Sequence, residues 1–326
     1  MDNIVKRRAV GIDVGVKTTT LAIVDLRGTI IAKDFMSTTD CQNINSFIEM
    51  LTEHIITLAE NNGGYETIRS VGISAPSANF VSGCVENAVN MPWKGVVPLA
   101  AMLRDRIGLA VAVGNDAHVT ALGEYVYGAA HGMENFIVLS LGHGGVGSCF
   151  FSGGQPYLGA LGFAGEVGHS CVEVDGRPCK CGRKGCLEEY ASDRGIMRTA
   201  HELMEASDAP SLMRDLPVLT PKIIGDCCDH GDEMAKEVYR KTGRWLGIGL
   251  ANYASVIDPE AIILTGELTE VCKWLLPPME EAFDENVFQN IRSRVKLVVS
   301  TIDNHERDVL GAAALAWTVK EYSLFK

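Results

Sequence analysis

The sequence predicts an α/β fold in which one design is used twice, giving two lobes packed around a cleft. Three observations predict it. Short β-branched and apolar runs alternate with segments of helical period, the pattern of a mostly parallel sheet with helices on its faces. A strand, turn, strand opening at residues 9 to 35 reappears at residues 136 to 158. The 326 residues also make about two domains at roughly 100–200 residues each.

Residues 9 to 35 read as a small antiparallel meander: AVGIDVGV is apolar with one acid, TTTLAIVD is β-branched, and RGTIIAKDF follows an Arg-Gly turn. From Asn43 to Asn61, Ile44, Phe47, Ile48, Leu51, Ile55 and Leu58 recur at helical spacing. IRSVGIS is a strand, VPLAAMLRDRIG a helix, and AVAVG a strand that runs into another helix through Val113-Gly114-Asn115-Asp116-Ala117. The second copy reads FIVLSLGHGG, VGSCFF, a Ser-Gly-Gly turn and a further extended run. A Gly- and Cys-rich loop follows from about Gly159 to Gly185, then helices around Arg194 to Ala206 and Asp232 to Ile257. Strands AIILTG and VKLVVS and a helix from about Arg307 to Lys320 close the chain. With no Ser/Pro-rich linker, the expected lobes are residues 1–117 with about 306–326, and residues 118–305. In such sheets ligands bind at the carboxyl ends of strands.

Composition excludes several function classes. Apolar residues at 47% and charged residues at 21% are ordinary globular values, which rules out a disordered chain. The net charge of −12 repels phosphate backbones and anionic lipid, so neither nucleic acid nor membrane is an expected partner. No apolar run approaches the roughly 20 residues of a spanning helix; the most apolar helical stretch, Leu246 to Ile257, carries Asn252 and Tyr253. Lys6, Arg7 and Arg8 precede an apolar segment that Asp13 interrupts too soon for a signal peptide, and a cytoplasmic location is expected. Cysteine usage agrees, because Cys179, Cys181 and Cys186 crowd together instead of spreading as a disulfide framework. Cys41, Cys84, Cys149, Cys171, Cys227, Cys228 and Cys272 read as ordinary small apolar residues.

His169 with Cys179-x-Cys181-x4-Cys186 supplies three thiols and one imidazole, a closed tetrahedral set for a structural zinc ion. The intervening Gly, Lys and Arg cannot make a core and favour thiolates. Just before them stands Gly165-Glu166-Val167-Gly168-His169. Glu166 is either a turn residue or a carboxylate that accepts two hydroxyls of a polyol at once, and His169 can bind metal through one ring nitrogen and a ligand through the other. Glu188 either opens a helix, where acids are favoured, or is aimed by the metal loop at the same ligand. Asp116 is an N-cap or a general base for a substrate hydroxyl. Asn90, before Met91-Pro92-Trp93, is a turn residue or an amide ligand, and Trp93 reads as packing.

GIDVG, NMPW, NDA with ALGE, LGHGG, GEVGH, CKCGRKGCLE and the terminal LGAAALA, in that order over nearly the whole chain, resemble the ROK family of sugar kinases and repressors, closest to its bacterial glucokinase-like members. The resemblance implies an actin-like ATPase fold, the ribonuclease H-like unit duplicated, and transfer of the ATP γ-phosphoryl to a hexose hydroxyl, expected at O6 of glucose or a close relative. It also implies Mg2+, a structural Zn2+ and a homodimer. By position, Asp116 matches the catalytic base; Asn90, Asn115, Asp116, Glu166, His169 and Glu188 match sugar ligands; His169, Cys179, Cys181 and Cys186 match zinc ligands. Asp13 resembles the Mg-positioning acid, and Gly15, Lys17, Thr18, Gly142, His143, Gly144 and Gly266 fall on the nucleotide side.

That side departs from the family pattern. Val16 stands where a second glycine lets backbone N–H groups approach phosphate, with Lys17 beside it as a compensating charge. His143 replaces a Thr, and Thr265-Gly266-Glu267 replaces a glycine run. A catalytically weak or inactive sugar-binding or regulatory protein is therefore the alternative expectation. A DNA-binding repressor is disfavoured by the sign of the charge and by a first strand beginning near residue 9, which leaves no room for a winged helix.

Overall fold

The structure is a computed structural model that describes residues 6–41, 43–88, 91–142 and 145–319. The chain divides into two compact units, the described parts of Met1–Gly132 with Thr301–Lys326, and Met133–Ser300.

The first unit opens with β1 (Arg8–Val14), β2 (Thr18–Asp25) and β3 (Ile30–Ser37), the expected antiparallel meander. Helix α1 (Ile44–Glu60) starts at Asn43, whose side chain accepts from the Asn45 and Ser46 N–H groups in a capping box. Then come β4 (Ile68–Ser74), a small antiparallel sheet of β5 (Ala78–Asn79), β6 (Cys84–Glu86) and β7 (Val96–Val97), α2 (Leu99–Ile107), β8 (Ala110–Gly114) and α3 (Asp116–Tyr127). The main sheet has the order β3-β2-β1-β4-β8, with β1, β4 and β8 parallel.

The second unit repeats that sheet strand for strand. Its elements are β9 (Phe136–Gly142), β10 (Gly145–Ser152), β11 (Gln155–Pro156), α4 (Glu188–Ala191), α5 (Asp193–Ala206), α6 (Pro221–Asp229), α7 (Glu233–Ile257), β12 (Ala261–Thr265), α8 (Cys272–Asn286) and β13 (Lys296–Val299). The order β11-β10-β9-β12-β13, antiparallel on the hairpin side and parallel through β9, β12 and β13, matches the first sheet. This duplication of a ribonuclease H-like unit is the actin-like ATPase fold. The chain returns to the first unit for α9 (Arg307–Thr318).

Period-2 alternation puts the two faces of β1 and β2 in different cores. Val10, Ile12, Leu21 and Ile23 pack with Phe47, Leu51 and Ile55 of α1 and Leu103 of α2. On the other face, Ala22 and Val24 meet Val309, Leu310 and Ala313 of α9. There a Cβ added at Gly11 or Gly72 would fall on the carbonyl oxygen of Val309 or Ala312. Helix α9 thus rests on the strand backbones themselves, which is why its buried face is a run of alanines. This close seating brings its first turn to the ends of β1 and β4.

An expected boundary at 117/118 would cut α3. That helix stays whole in the first unit, because Gly123 lets it cross α9 at Gly311, and the division falls after Gly132. Helices α6 and α8 and the small sheet were not anticipated. Trp93 is packing, with its ring 4.6 Å from that of Phe47. Among the described residues no helix is long and apolar enough to cross a membrane.

Candidate active site

The carboxyl ends of β1, β4 and β8 lie side by side, with Asp13 in register with Ser74 and Ser74 with Gly114. The next two residues show which of them caps the helix. Asn115 is the cap of α3, its Oδ1 accepting from the Ala117 N–H at 3.0 Å. Asp116 is therefore released from capping, and it accepts instead from Ser74 Oγ at 3.2 Å.

Two residues absent from the sequence-based candidates complete this group. Asp308, in the first turn of α9, takes Arg307 Nε at 2.9 Å and Nη2 at 3.4 Å. Burial, then the charges of Asp308 and Asp116, push the Asp13 carboxyl up to about 8, against a smaller pull from Arg307. Asp116 is raised to about 6 by desolvation and Asp308, opposed by the Ser74 hydrogen bond and Arg307. Both carboxyls bind protons more tightly folded than unfolded, so their contribution to stability falls as pH rises from the ordinary carboxylate range through about 6 and about 8. Carboxylates crowded at such a cost have the hard oxygen donors that Mg2+ takes, and a cation would relieve the repulsion.

Beside Asp13, the turn from β1 to β2 is closed by the Gly15 N–H donating to the Thr18 carbonyl at 3.1 Å. Val16, Lys17 and Thr18 are exposed on it. The matching turn of the second unit leaves β9 at Gly142, and His143, Gly144 and also Asn90 lie outside the described residues. A Cβ at Gly142 would fall on Glu267 Oε2. The Glu267 carboxylate, just past the end of β12, thus covers the glycine expected to approach phosphate.

The Gly165–His169 segment is fixed against β10. Gly165 has φ +92°, a left-handed conformation, and a Cβ on Gly168 would fall on the Val146 carbonyl oxygen. Glu166 is exposed and its side chain makes no capping hydrogen bond to the short 3-10 turn it precedes. Glu188 is in the first turn of α4, yet its Oε2 accepts from the Val146 N–H at 3.3 Å while Oε1 takes Arg194 at 3.4 Å. Val146 therefore gathers both expected sugar-binding segments of this unit.

One ligand atom each from His169, Cys179, Cys181 and Cys186 lies within 4.8 Å of the others. Cys179 Sγ is 3.7 Å from His169 Nδ1, and Cys181 Sγ is 3.6 Å from Cys186 Sγ. Tetrahedral zinc with Zn–S bonds of about 2.3 Å separates its ligand atoms by about 3.8 Å, so this donor set fits the ion. Because Nδ1 faces the thiols, Nε2 is left for another partner. Independently of any metal, Arg177 clamps the loop to the helices: Nη1 donates to the Glu189 and Gly195 carbonyls at 2.7 and 3.1 Å, and the guanidinium stacks 4.6 Å from the Tyr190 ring.

Residues 9–319 match the ROK family along almost the full chain. The glucokinase of Halalkalibacterium halodurans is 31% identical over 322 residues, 96% of this chain and 94% of that protein. The chain belongs to the ROK family. Among solved structures, a ROK family glucokinase from Streptomyces griseus in complex with glucose and AMPPNP superposes with a TM-score of 0.76 at 29% identity, covering 96% of this ROK chain and all of that one. A ROK family transcriptional regulator, a homologue of the Escherichia coli MLC protein, shares the fold at a TM-score of 0.84 and 24% identity, covering 96% and 78% of the two chains.

In this ROK protein the signal for Asp308 and Arg307 was present as Glu-Arg-Asp just before LGAAALA. An acid in a first helical turn has an ordinary explanation in the helix dipole, which hid it. Among the cysteines expected to be ordinary small apolar residues, Cys171 is exposed.

Proposed function

We propose that the protein is an ATP-dependent hexose kinase that phosphorylates glucose or a close relative at O6. The observation that carries this is the release of Asp116 from capping at a strand carboxyl end, beside Asp13 and Asp308. Asp116 takes the proton of the attacking hydroxyl. The sugar is held by Glu166, Glu188, Asn90, the His169 Nε2 and the amide nitrogen of Asn115, whose oxygen is committed to its helix. Asp13, with Asp308, would hold Mg2+, which neutralises charge on the transferring phosphoryl group when bound. Gly15, Thr18, Gly142, His143, Gly144 and Gly266 would contact the nucleotide, with Lys17 adding charge. His169, Cys179, Cys181 and Cys186 would hold Zn2+, which supplies shape and no chemistry. The enzyme works in the cytoplasm as a homodimer, its partner a small sugar and neither nucleic acid nor membrane.

Coupled assay of ADP release across glucose, mannose, N-acetylglucosamine, N-acetylmannosamine and allose tests this, with sugar-dependent turnover expected for at least one. Sugar binding by calorimetry without ATP turnover would overturn it in favour of a sugar-binding regulator. The Glu267 carboxylate over Gly142 is the specific observation on that second side. One charge about 5 Å from a phosphate is worth roughly 3 kcal/mol at an effective dielectric of about 20. Glu267→Gln is therefore expected to lower KM for ATP by at least about tenfold with the sugar KM unchanged. An ATP KM equal to that of the wild type would show that this carboxylate does not face the nucleotide.

A further inference from the structure

Cys171 lies directly opposite a residue of the metal cluster. It forms an antiparallel bridge pair with Cys186. The flanking hydrogen bonds run from the Val172 N–H to the Gly185 carbonyl at 2.8 Å and from the Leu187 N–H to the Ser170 carbonyl at 2.9 Å. Cys171 and Cys186 bond to neither, so they are a non-hydrogen-bonded pair. In such pairs the Cα atoms stand about 4.5 Å apart with both side chains on one face. That spacing lies inside the roughly 4.4–6.8 Å window of a disulfide. The Cys171 sulfur packs against this part of the loop, 3.1 Å from where a Cβ on Gly185, the residue before Cys186, would stand. Cys171 is exposed and is not one of the four clustered ligands, whereas Cys186 is buried and is one of them.

We propose that Cys171 is an oxidation site that disarms the metal loop by forming a disulfide with Cys186. A peroxide is the oxidant. The Cys171 sulfur attacks one peroxide oxygen, the O–O bond breaks, and the products are a sulfenic acid and water. The Cys186 sulfur then attacks the sulfenic sulfur, the S–S bond forms, and the sulfenic oxygen leaves as a second water. Two thiols lose two electrons, and hydrogen peroxide gains them. The metal cluster is left with His169, Cys179 and Cys181. The disulfide itself is argued from the bridge pairing alone; the consequence for metal rests on the zinc assignment above.

The test exposes the full chain to hydrogen peroxide, maps disulfides by mass spectrometry of unreduced peptides, and follows released zinc with a chromogenic chelator. A Cys171–Cys186 peptide is expected, with zinc released in step with it and both reversed by dithiothreitol plus zinc. Cys171→Ser, at an exposed position, is expected to fold normally and to release zinc at least tenfold more slowly. Zinc release from Cys171→Ser at the wild-type rate, or a dominant disulfide among Cys179, Cys181 and Cys186, would overturn the proposal. Protein that contains no zinc as purified would refute the zinc assignment, and peptide mapping would still decide the pair.

Discussion

Asp116→Asn is expected to lower kcat by about 10³–10⁴-fold, toward the upper end of what general acid–base catalysis contributes, while calorimetry shows sugar binding nearly unchanged. The structure separates this loss from misfolding. Asn115 caps α3 and keeps that role, and Ser74 Oγ can donate to an amide oxygen as it does to the carboxylate. Removing one charge from the group with Asp13 and Asp308 relieves repulsion, so the variant should melt no lower than the wild type, and higher above neutral pH. A carboxylate that takes the proton of a hydroxyl must start ionised, and that is the proposed role of Asp116. Wild-type activity must therefore fall as pH drops through the Asp116 pKa of about 6, or lower when a bound cation pulls that value down. The variant should lack this acid limb. Activity within about tenfold of wild type would remove Asp116 from the role of base.

What the sequence revealed and what it concealed divide along physical lines. Helix α1 was legible because Phe47, Ile48, Leu51, Ile55 and Leu58 keep one face over 17 residues. The two meanders were legible because β-branched runs alternate with turn residues. Helix α8 was concealed by Pro277 and Pro278, which local rules read as breakers and which the protein accommodates inside the helix against Gly243 of α7. The small sheet has strands of two and three residues, too short to show any period. At the site, the candidate metal ligands announce themselves by chemistry and spacing within one stretch of chain. The acidic group does not, since Asp13, Asp116 and Asp308 come from three distant segments that only the sheet and α9 bring together. The same holds for Cys171 and Cys186: fourteen residues lie between them, and their opposition exists only once the isolated bridge of the loop has formed.

Removal of the metal is the other large effect expected, and the structure sets its size. His169 belongs both to the ligand cluster and to the segment carrying Glu166, so stripping the ion frees the His169 imidazole and loosens the segment that carries Glu166, although Gly168 still packs on Val146. The tip of the loop depends on the ion most, because Lys180 to Lys184 are exposed and bury nothing. Glu188 is different. It begins α4, where Arg177 pins the chain to the Glu189 and Gly195 carbonyls whether or not metal is bound. One sugar-binding segment should thus be lost and the other kept. Purified protein should contain one zinc per chain, and dialysis against a strong chelator should weaken sugar binding by roughly 10–100-fold, the range typical when the supports of a metal site fail. The core under α5 and α7 should stay folded, read as unchanged far-ultraviolet circular dichroism, and added zinc should restore affinity. Arg177→Ala combined with chelation should then lose sugar binding altogether, because the second anchor goes with the first. Chelated protein that binds sugar at full strength would show that the cysteine cluster does not position Glu166 and His169.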